Sequence, residues 1–301
     1  MYYHRTYKEK SDDFNEMCLL VSYLNSMHLC DWSLGRLYAW KYGRWSKESQ
    51  IDSLFEKQSE LFFDDLNKLC GIIITENFGE SYYILSKKDI ELLQAMTDFL
   101  IEGGNFNKSC TITVPVNDEY QKDVFERNGF ICSGDADVTY TYNTEDIEIP
   151  KRIIPNGFVL TSQREYLDEE KAELLRFYAF NPNAIYDETL DYAYKYARTN
   201  LILVPELCIL LLNEFGEPVS TCMGLLDNSN QLMEIEVVAT KKEYEHRGFA
   251  KIVISECIKR GISKGVKEFS ISAWEEKTRR LYSSFGKSQA LKKVNYSRSV
   301  S

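Results

Sequence analysis

Short runs of alternating and periodic hydrophobic positions fill the second half of the chain and predict its elements. The stretch 157–162 has the pattern of a strand, and apolar residues at helical spacing predict helices over 168–180 and 187–199. Three β-rich runs follow within 207–240, separated by the turn-forming stretches NEFGEP and DNSN. Runs separated in this way predict an antiparallel meander.

The meander leads into EYEHRGFAK (243–251), and three further elements follow this stretch. They are a helix over 250–265, a strand over 267–274 and a helix over 276–286 that stops at Gly286. The predicted order is βααβββαβαβ, which indicates an α/β fold with a mixed sheet.

The turn at 243–251 has the composition of an anion-binding site. A chain that enters a helix leaves several backbone N–H groups without partners, at the positive end of the helix dipole. Gly248 and Ala250 keep side-chain bulk away from this position. We therefore expect a phosphate or pyrophosphate group to bind here.

Composition narrows the possible partners. The net charge of −10 and the pI near 5.1 argue against nucleic-acid binding and favour cationic substrates. No apolar run approaches the length of a membrane span, and the N-terminus lacks the apolar core of a signal peptide, so we expect a cytoplasmic protein with no membrane partner. The eight cysteines contain no C-x-x-C pair and the three histidines lie far apart, which predicts no metal site.

Residues Glu245 to Ala250 resemble the signature Q/R-x-x-G-x-G/A of the GNAT superfamily of acetyl-CoA-dependent N-acetyltransferases. In that family the loop binds the coenzyme A pyrophosphate through backbone N–H groups. Glu245 departs from the signature, and Arg247 and Lys251 are candidates to compensate its charge. The resemblance implies acetyl-CoA as co-substrate and the following coenzyme-binding residues: Val237, Val238, Ala239, Arg247, Gly248, Phe249, Ala250 and Lys251.

Two more stretches extend the resemblance over about residues 157 to 299. LMEIEVVAT precedes the turn at the family's distance, and strand alternation is expected to put Glu234, Glu236 and Val238 on one face. TRRLYSSFG resembles the family's closing element A-x-x-L-Y-x-x-x-G-F, with Lys287 in place of the last aromatic residue. The resemblance implies a general-acid role for Tyr282.

These residue types suit acetyl transfer to an amine. An amine with an ordinary pKa of about 10.4 must lose a proton before it attacks, and Glu234 or Glu236 is a candidate base. A strand N–H near Val238 is a candidate donor to the developing oxyanion, and Tyr282 is a candidate to protonate the leaving thiolate. The structural alternatives are a solvated sheet face for the glutamates, a core aromatic for Tyr282 and a simple tight turn for Gly248.

The end of the first half repeats the pattern of the second. Residues 111–142 align with 269–298, and the matching glycines, Gly129 and Gly286, are 286 − 129 = 157 positions apart. At the position of the glycine turn, the first copy has the sequence SKKD. At the position of Tyr282 in the second copy, the first copy has Phe125. We therefore expect two tandem GNAT-like domains: a degenerate one over 1–145, a linker over 146–156, and a domain with the acetyl-CoA site over 157–301.

The stretch 31–45 is rich in aromatic and basic residues, and its simplest interpretation is a helix with a packed aromatic face. The functional alternative is a lip of the acceptor pocket, with Trp32, Arg36 and Tyr38 as candidates. The leading hypothesis is an N-acetyltransferase acting on a small-molecule or peptide amine in a ternary complex. The alternatives are a catalytically weak acyl-CoA-binding or sensing module, and an aminoacyl-tRNA-dependent transferase of the tandem kind that builds peptidoglycan bridges.

Overall fold

The computed structural model describes residues 2–9, 11–29, 32–42, 59–77, 81–102, 109–151, 153–183, 185–186 and 202–299. In chain order, the helices and strands of these residues are β1 (Tyr3–Thr6), α1 (Asp13–Ser26), α2 (Leu34–Tyr42), β2 (Ser59–Phe63), β3 (Leu69–Asn77), β4 (Ser81–Ser86), α3 (Ile90–Glu102), β5 (Ser109–Pro115), α4 (Glu119–Arg127), β6 (Ile131–Asn143), β7 (Val159–Ser162), α5 (Glu169–Phe180), β8 (Leu203–Leu212), β9 (Pro218–Asp227), β10 (Leu232–Thr240), α6 (Phe249–Ser263), β11 (Glu268–Ala273), α7 (Glu276–Tyr282) and β12 (Gln289–Ser299).

The chain divides into two compact units. The first contains the described residues of Met1–Ser33, Lys47–Thr139 and Leu291–Ser301, and the second those of Leu34–Ser46 and Tyr140–Ala290. The predicted domains, by contrast, were two continuous stretches, 1–145 and 157–301. The difference lies in α2 and β12, because α2 belongs to the second unit and most of β12 belongs to the first.

The first unit is a mixed sheet in the order β1-β2-β3-β4-β5-β12-β6. β2, β3 and β4 form an antiparallel meander, and β4 pairs with β5 in parallel. β12 pairs antiparallel with β5, from Lys293 opposite Pro115 to Ser299 opposite Ser109. Its Lys293 ammonium lies 2.9 Å from Asp137 Oδ2 of β6, and both side chains are buried.

The second unit repeats this arrangement, with β11-β10-β9-β8-β7 as its sheet order. β8, β9 and β10 form the predicted antiparallel meander, and β10 pairs with β11 in parallel. The α/β fold with a mixed sheet is therefore confirmed. The predicted helix over 187–199 lies outside the described residues.

The two faces of the second sheet carry different helices. Met233 and Ile235 of β10 share a buried apolar cluster with Val253 and Cys257 of α6. α5 and α2 pack against β9 and β10. Because side chains alternate along β10, Glu234 and Glu236 point away from the α6 cluster. The strand therefore presents an apolar face to α6 and an acidic face on the other side.

The matching glycines of the two repeats both have a positive φ. Gly129 and Gly286 follow the last helix of each repeat and have φ of 80° and 110°. At Gly286 a Cβ atom would lie 2.4 Å from the backbone oxygen of Asp146, so a larger residue does not fit without movement. A positive φ at both positions is in keeping with the duplication that the sequence suggests.

Within the described ranges, no helix is long and apolar enough to cross a membrane.

Candidate active site

The N-terminus of α6 is open, as the turn at 243–251 predicts. Gly248 precedes the helix in the left-handed conformation, with φ of 78°. Among the described residues no side chain caps this helix start, and a Cβ atom on Gly248 would meet nothing within 4 Å. The first N–H groups of α6 have no intrahelical acceptors, so this end is available to an anion.

The equivalent helix of the first unit is closed by its own sequence. The Asp89 carboxylate accepts a 2.9 Å hydrogen bond from the Leu92 N–H in the first turn of α3. This N–H holds the pKa of Asp89 below its usual value despite the partial burial of the carboxyl, with a smaller contribution from Tyr2. The carboxylate of Asp89, the last residue of SKKD, thus caps the start of α3. The glycine turn leaves the equivalent position at the start of α6 open.

Replacing Asp89 with alanine is expected to lower the free energy of unfolding by about 1 kcal/mol at pH 7, the usual value of an N-cap. Because the pKa of Asp89 is lowered in the folded state, its contribution is present at neutral pH and is lost as the pH falls through that lowered value. Asp89→Asn, which keeps the capping oxygen, is the matched control. Urea unfolding of the three proteins at pH 7 tests this, and equal stabilities of Asp89→Ala and wild type would contradict it.

The first unit also has a cleft beside this closed helix start. In the parallel pairing of β4 with β5, Ser81 lies opposite Thr111 and Tyr82 lies opposite Ile112. The two strands continue beyond these pairs, and the cleft lies between their continuations. Its lining residues are His28, Leu29, Tyr83, Ile84, Leu85, Lys88, Thr113, Pro115, Asn117, Asp118, Gln121 and Leu291.

Arg247 of the turn is held by aromatic rings. Its guanidinium carbon lies 5.0 Å from the centroid of Phe158, 5.4 Å from that of Tyr244 and 4.7 Å from that of Phe249. Phe249 is buried and Arg247 is exposed. The stacking keeps the positive charge next to Gly248.

The charge of Glu245 is compensated by a residue outside the motif. Its Oε2 lies 3.5 Å from Lys277 Nζ in the first turn of α7 and 3.8 Å from His246 Nε2. Lys251, the other expected partner, is half-buried in the first turn of α6, and no described carboxylate lies within ion-pair distance of it. The unusual charge of Glu245 is therefore balanced mainly by Lys277.

β10 contains a bulge directly after Glu236. Glu236 lies opposite Met223 and Ala239 opposite Thr221, so Val237 and Val238 together face a single residue of β9. Val237 has φ of 54°, which is rare for a β-branched residue. A bulge leaves backbone groups outside the regular ladder, and strained backbone of this kind is concentrated at functional sites.

The bulge corrects one expectation from the sequence. Val238 does not share a face with Glu234 and Glu236, because it packs against the apolar cluster of α6 that contains Met233 and Ile235. The extra residue shifts the alternation by one position. Ala239 is buried, and its carbonyl accepts a 3.1 Å hydrogen bond from Ser220 Oγ.

β10 and β11 separate close to the candidate catalytic residues. Their parallel ladder joins Leu232–Glu234 to Glu268–Ser270, whereas β10 continues to Thr240 and β11 to Ala273. The open start of α6 follows β10, and α7 with Tyr282 follows β11. Clefts at the carboxyl ends of parallel strands are common ligand sites in α/β proteins.

The two glutamates have different surroundings. The Glu234 side chain is buried, and its Oε2 would lie 2.2 Å from a Cβ atom on Gly35 in the first turn of α2. Glu234 therefore lies directly against the α2 backbone, where the positive end of the helix dipole stabilises an anion. Glu236 is half-buried. Glu236 is consequently the better placed of the two to meet an acceptor.

Tyr282 lies in the apolar cluster under α6 with 7% of its surface exposed, and its carbonyl accepts a hydrogen bond from the Tyr142 hydroxyl. Burial raises the pKa of the Tyr282 hydroxyl well above its ordinary value, and the negative charge of Glu236 raises it further. The hydroxyl thus stays protonated at neutral pH. Phe125, its counterpart in the first repeat, is fully buried against Phe130.

The proposed acceptor residues fall in different units. Trp32 is fully buried in the first unit, where its ring lies 5.1 Å from that of Tyr83. Arg36 and Tyr38 lie half-buried on α2 of the second unit, the helix that carries Gly35. The structure therefore brings Arg36 and Tyr38, but not Trp32, into the unit with the glutamates.

Sequence reasoning missed Lys277 and Gly35. Spacing gives no signal for Lys277, because its partner Glu245 lies on a different element. A glycine inside a helical pattern does give a signal for Gly35, since such a residue often marks a close approach of two backbones or of a side chain to a backbone.

Comparison with known proteins shows the family of one part of the chain and the fold of the whole. Residues 169–286 match the acetyltransferase (GNAT) family model. No curated protein sequence matches the chain. A tandem GNAT protein from the clavulanic acid biosynthesis pathway aligns with a TM-score of 0.63 and 7% identity, covering 99% of this chain and 98% of its own.

Two further structures have a similar fold. A GCN5-related N-acetyltransferase from Sphaerobacter thermophilus aligns with a TM-score of 0.60 and 14% identity, covering 99% of this chain and 95% of its own. A GNAT-family acetyltransferase from Colwellia psychrerythraea aligns with a TM-score of 0.59 and 12% identity, covering 98% of this chain and 100% of its own. Residues 169–286 thus form a domain of the acetyltransferase (GNAT) family, and the chain has the tandem GNAT fold.

Proposed function

We propose that the protein is an N-acetyltransferase that moves an acetyl group from acetyl-CoA to a primary amine of a small molecule or peptide, by direct attack of the amine. The observation that carries the proposal is the open start of α6 beside the separating ends of β10 and β11. The GNAT family match over the same residues supports it.

The residues around α6 fit the coenzyme. The N–H groups of Phe249, Ala250 and Lys251 would bind its pyrophosphate, with the stacked Arg247 and the Lys251 side chain adding positive charge. Val237, Val238 and Ala239 would border its thioester arm at the bulge of β10. When bound, the coenzyme supplies an activated acetyl group.

Two residues would carry out the proton transfers, and a third would attract the amine. Glu236, half-buried and next to the bulge, would accept the proton of the amine, directly or through a water. Glu234, held against Gly35, would keep a negative charge on the same face and attract a cationic amine. Tyr282, protonated at neutral pH, would donate its proton to the departing thiolate.

A bulge N–H would stabilise the developing oxyanion. Val237 and Val238 lie outside the regular ladder with β9, so backbone groups at this point are available for other partners. The left-handed conformation of Val237 redirects the backbone here. This agrees with the donor near Val238 that the sequence suggests.

The net charge of −10 favours an amine acceptor over a tRNA substrate, because binding to a phosphate backbone depends largely on Lys and Arg charge. The aminoacyl-tRNA-dependent alternative is therefore the weaker one. Retention of tRNA by the protein on a filter would reverse this preference.

The full chain is expected to bind one acetyl-CoA molecule, because α6 starts open and α3 is closed by Asp89. Isothermal titration calorimetry with the complete chain measures this stoichiometry. The complete chain is required, since a cut between 145 and 157 would remove β12 from the first unit and α2 from the second. No binding would contradict the proposed function, and two sites per chain would contradict the inactive role assigned to the first repeat.

A further inference from the structure

The ion pair between Glu245 and Lys277 joins the two elements that border the coenzyme cleft. Glu245 lies in the turn after β10, and Lys277 lies in the first turn of α7, after β11. Beyond Glu234 and Ser270 the two strands are no longer paired, so the ion pair connects their separated ends.

The ion pair between Lys277 and Glu245 is exposed, so another anion can replace Glu245 at low energetic cost. The Lys277 side chain is 64% exposed and that of Glu245 is 35% exposed, and their charged atoms are 3.5 Å apart. Exposed pairs of this kind contribute little to stability. The coenzyme pyrophosphate carries two negative charges against the one of a carboxylate, and its oxygens accept charge-assisted hydrogen bonds from lysine.

The neighbouring cations Arg247 and Arg280 have partners other than Glu245. Arg247 stacks on three aromatic rings. Arg280, one turn further along α7, is 3.0 Å from Glu276. Lys277 is thus the α7 cation whose only described ionic partner, Glu245, belongs to the phosphate-binding turn itself.

We propose that Lys277 is a phosphate-binding residue of the coenzyme site and that Glu245 is its built-in competitor. This inference rests on the proposed function, because it requires acetyl-CoA at the start of α6. In the free protein Glu245 holds Lys277 beside the turn. On binding, Lys277 exchanges the carboxylate for a coenzyme phosphate.

The exchange explains why a carboxylate is tolerated at this position. Glu245 competes with the coenzyme phosphate for Lys277, so it lowers coenzyme affinity, but it also keeps the Lys277 ammonium at the cleft before binding. A turn with glutamine at 245 lacks both effects. The two residues are therefore expected to be energetically coupled in coenzyme binding.

A double-mutant cycle of acetyl-CoA affinity tests the proposal, using calorimetry on the full-length wild type, Lys277→Ala, Glu245→Gln and the double variant. Lys277→Ala is expected to weaken binding about tenfold, as for loss of one charged hydrogen bond. Glu245→Gln is expected to tighten binding about fivefold in wild type, and by less than about twofold when Lys277 is absent.

Arg280→Ala is the matched control, because it removes the same charge from the same helix but from the Glu276 pair. Its affinity is expected to stay within about twofold of wild type. Lys277→Gln serves as a second variant if Lys277→Ala does not fold, as judged by circular dichroism.

The outcomes separate the two proposals. Wild-type protein that does not bind acetyl-CoA would overturn the proposed function. Wild-type binding that is unchanged in the Lys277 variants would overturn this inference alone. Weaker binding by Glu245→Gln would show that Glu245 assists the coenzyme and is not its competitor, which also overturns the inference.

Discussion

Replacing Tyr282 with phenylalanine is expected to lower turnover about 10²- to 10⁴-fold, the usual contribution of a positioned proton transfer. Acetyl-CoA affinity is expected to change by less than about twofold, because the ring that packs in the α6 cluster is retained. Phe125 occupies the matching position of the first repeat, so this element accommodates a phenylalanine.

The measurement compares turnover and coenzyme affinity of Tyr282→Phe with wild type. Tyr178→Phe, which removes a hydroxyl from an exposed tyrosine of α5, is the matched control. Equal turnover in Tyr282→Phe would remove this hydroxyl from the mechanism. Lost affinity with unchanged turnover would mean that the hydroxyl positions the coenzyme.

The pH profile gives an independent check on Tyr282. Burial and then Glu236 raise the pKa of its hydroxyl, so the proton that it donates is retained at pH values where an ordinary tyrosine, with a pKa of about 10, begins to ionise. Wild-type turnover is therefore expected to show no loss from tyrosine ionisation up to about pH 10.

Gly248→Asp is expected to weaken acetyl-CoA binding about 10²- to 10³-fold. The new carboxylate would enter the space next to the start of α6, where no described atom lies within 4 Å of a Cβ position. Two unit charges about 4 Å apart repel by about 4 kcal/mol at an effective dielectric constant of about 20. The new carboxylate would also interact with the positive end of the α6 dipole, as the Asp89 carboxylate does at the start of α3, and would take the place of the coenzyme phosphate.

Gly216→Asp is the matched control for this variant. Gly216 has φ of 74°, close to the 78° of Gly248, and it also has no described atom within 4 Å of a Cβ position. It lies in the turn between β8 and β9. Both variants place an aspartate at a similar positive φ, so an affinity loss in Gly248→Asp alone identifies the anion site. Equal affinities in both variants would show that the turn faces something else.

Local patterns in the sequence predicted much of the second unit. Turn-forming stretches and β-rich runs predicted the meander of β8, β9 and β10, and apolar spacing predicted α6 to within a residue or two of its observed ends. These elements depend on local periodicity and turn chemistry, which a sequence states directly.

Other features depend on contacts between distant residues. The bulge after Glu236 shifts Val238 to the other face, and no local signal in EVVAT distinguishes it from regular alternation. The placement of α2 against β9 and β10, and of β12 beside β5, depends on contacts between residues far apart in the sequence. The Glu245–Lys277 pair likewise requires knowledge of where α7 lies.

Transfer of a labelled acetyl group tests the central claim most directly. The full-length protein would be incubated with acetyl-CoA carrying ¹³C in its acetyl group and a panel of amines that includes small polyamines, aminoglycosides and peptides with free amino termini. Mass spectrometry is expected to detect a ¹³C-acetylated amine with wild type, and only trace product with Tyr282→Phe or Gly248→Asp. Binding of acetyl-CoA by wild type without labelled product from any amine would contradict the account and identify the chain as an acyl-CoA-binding module.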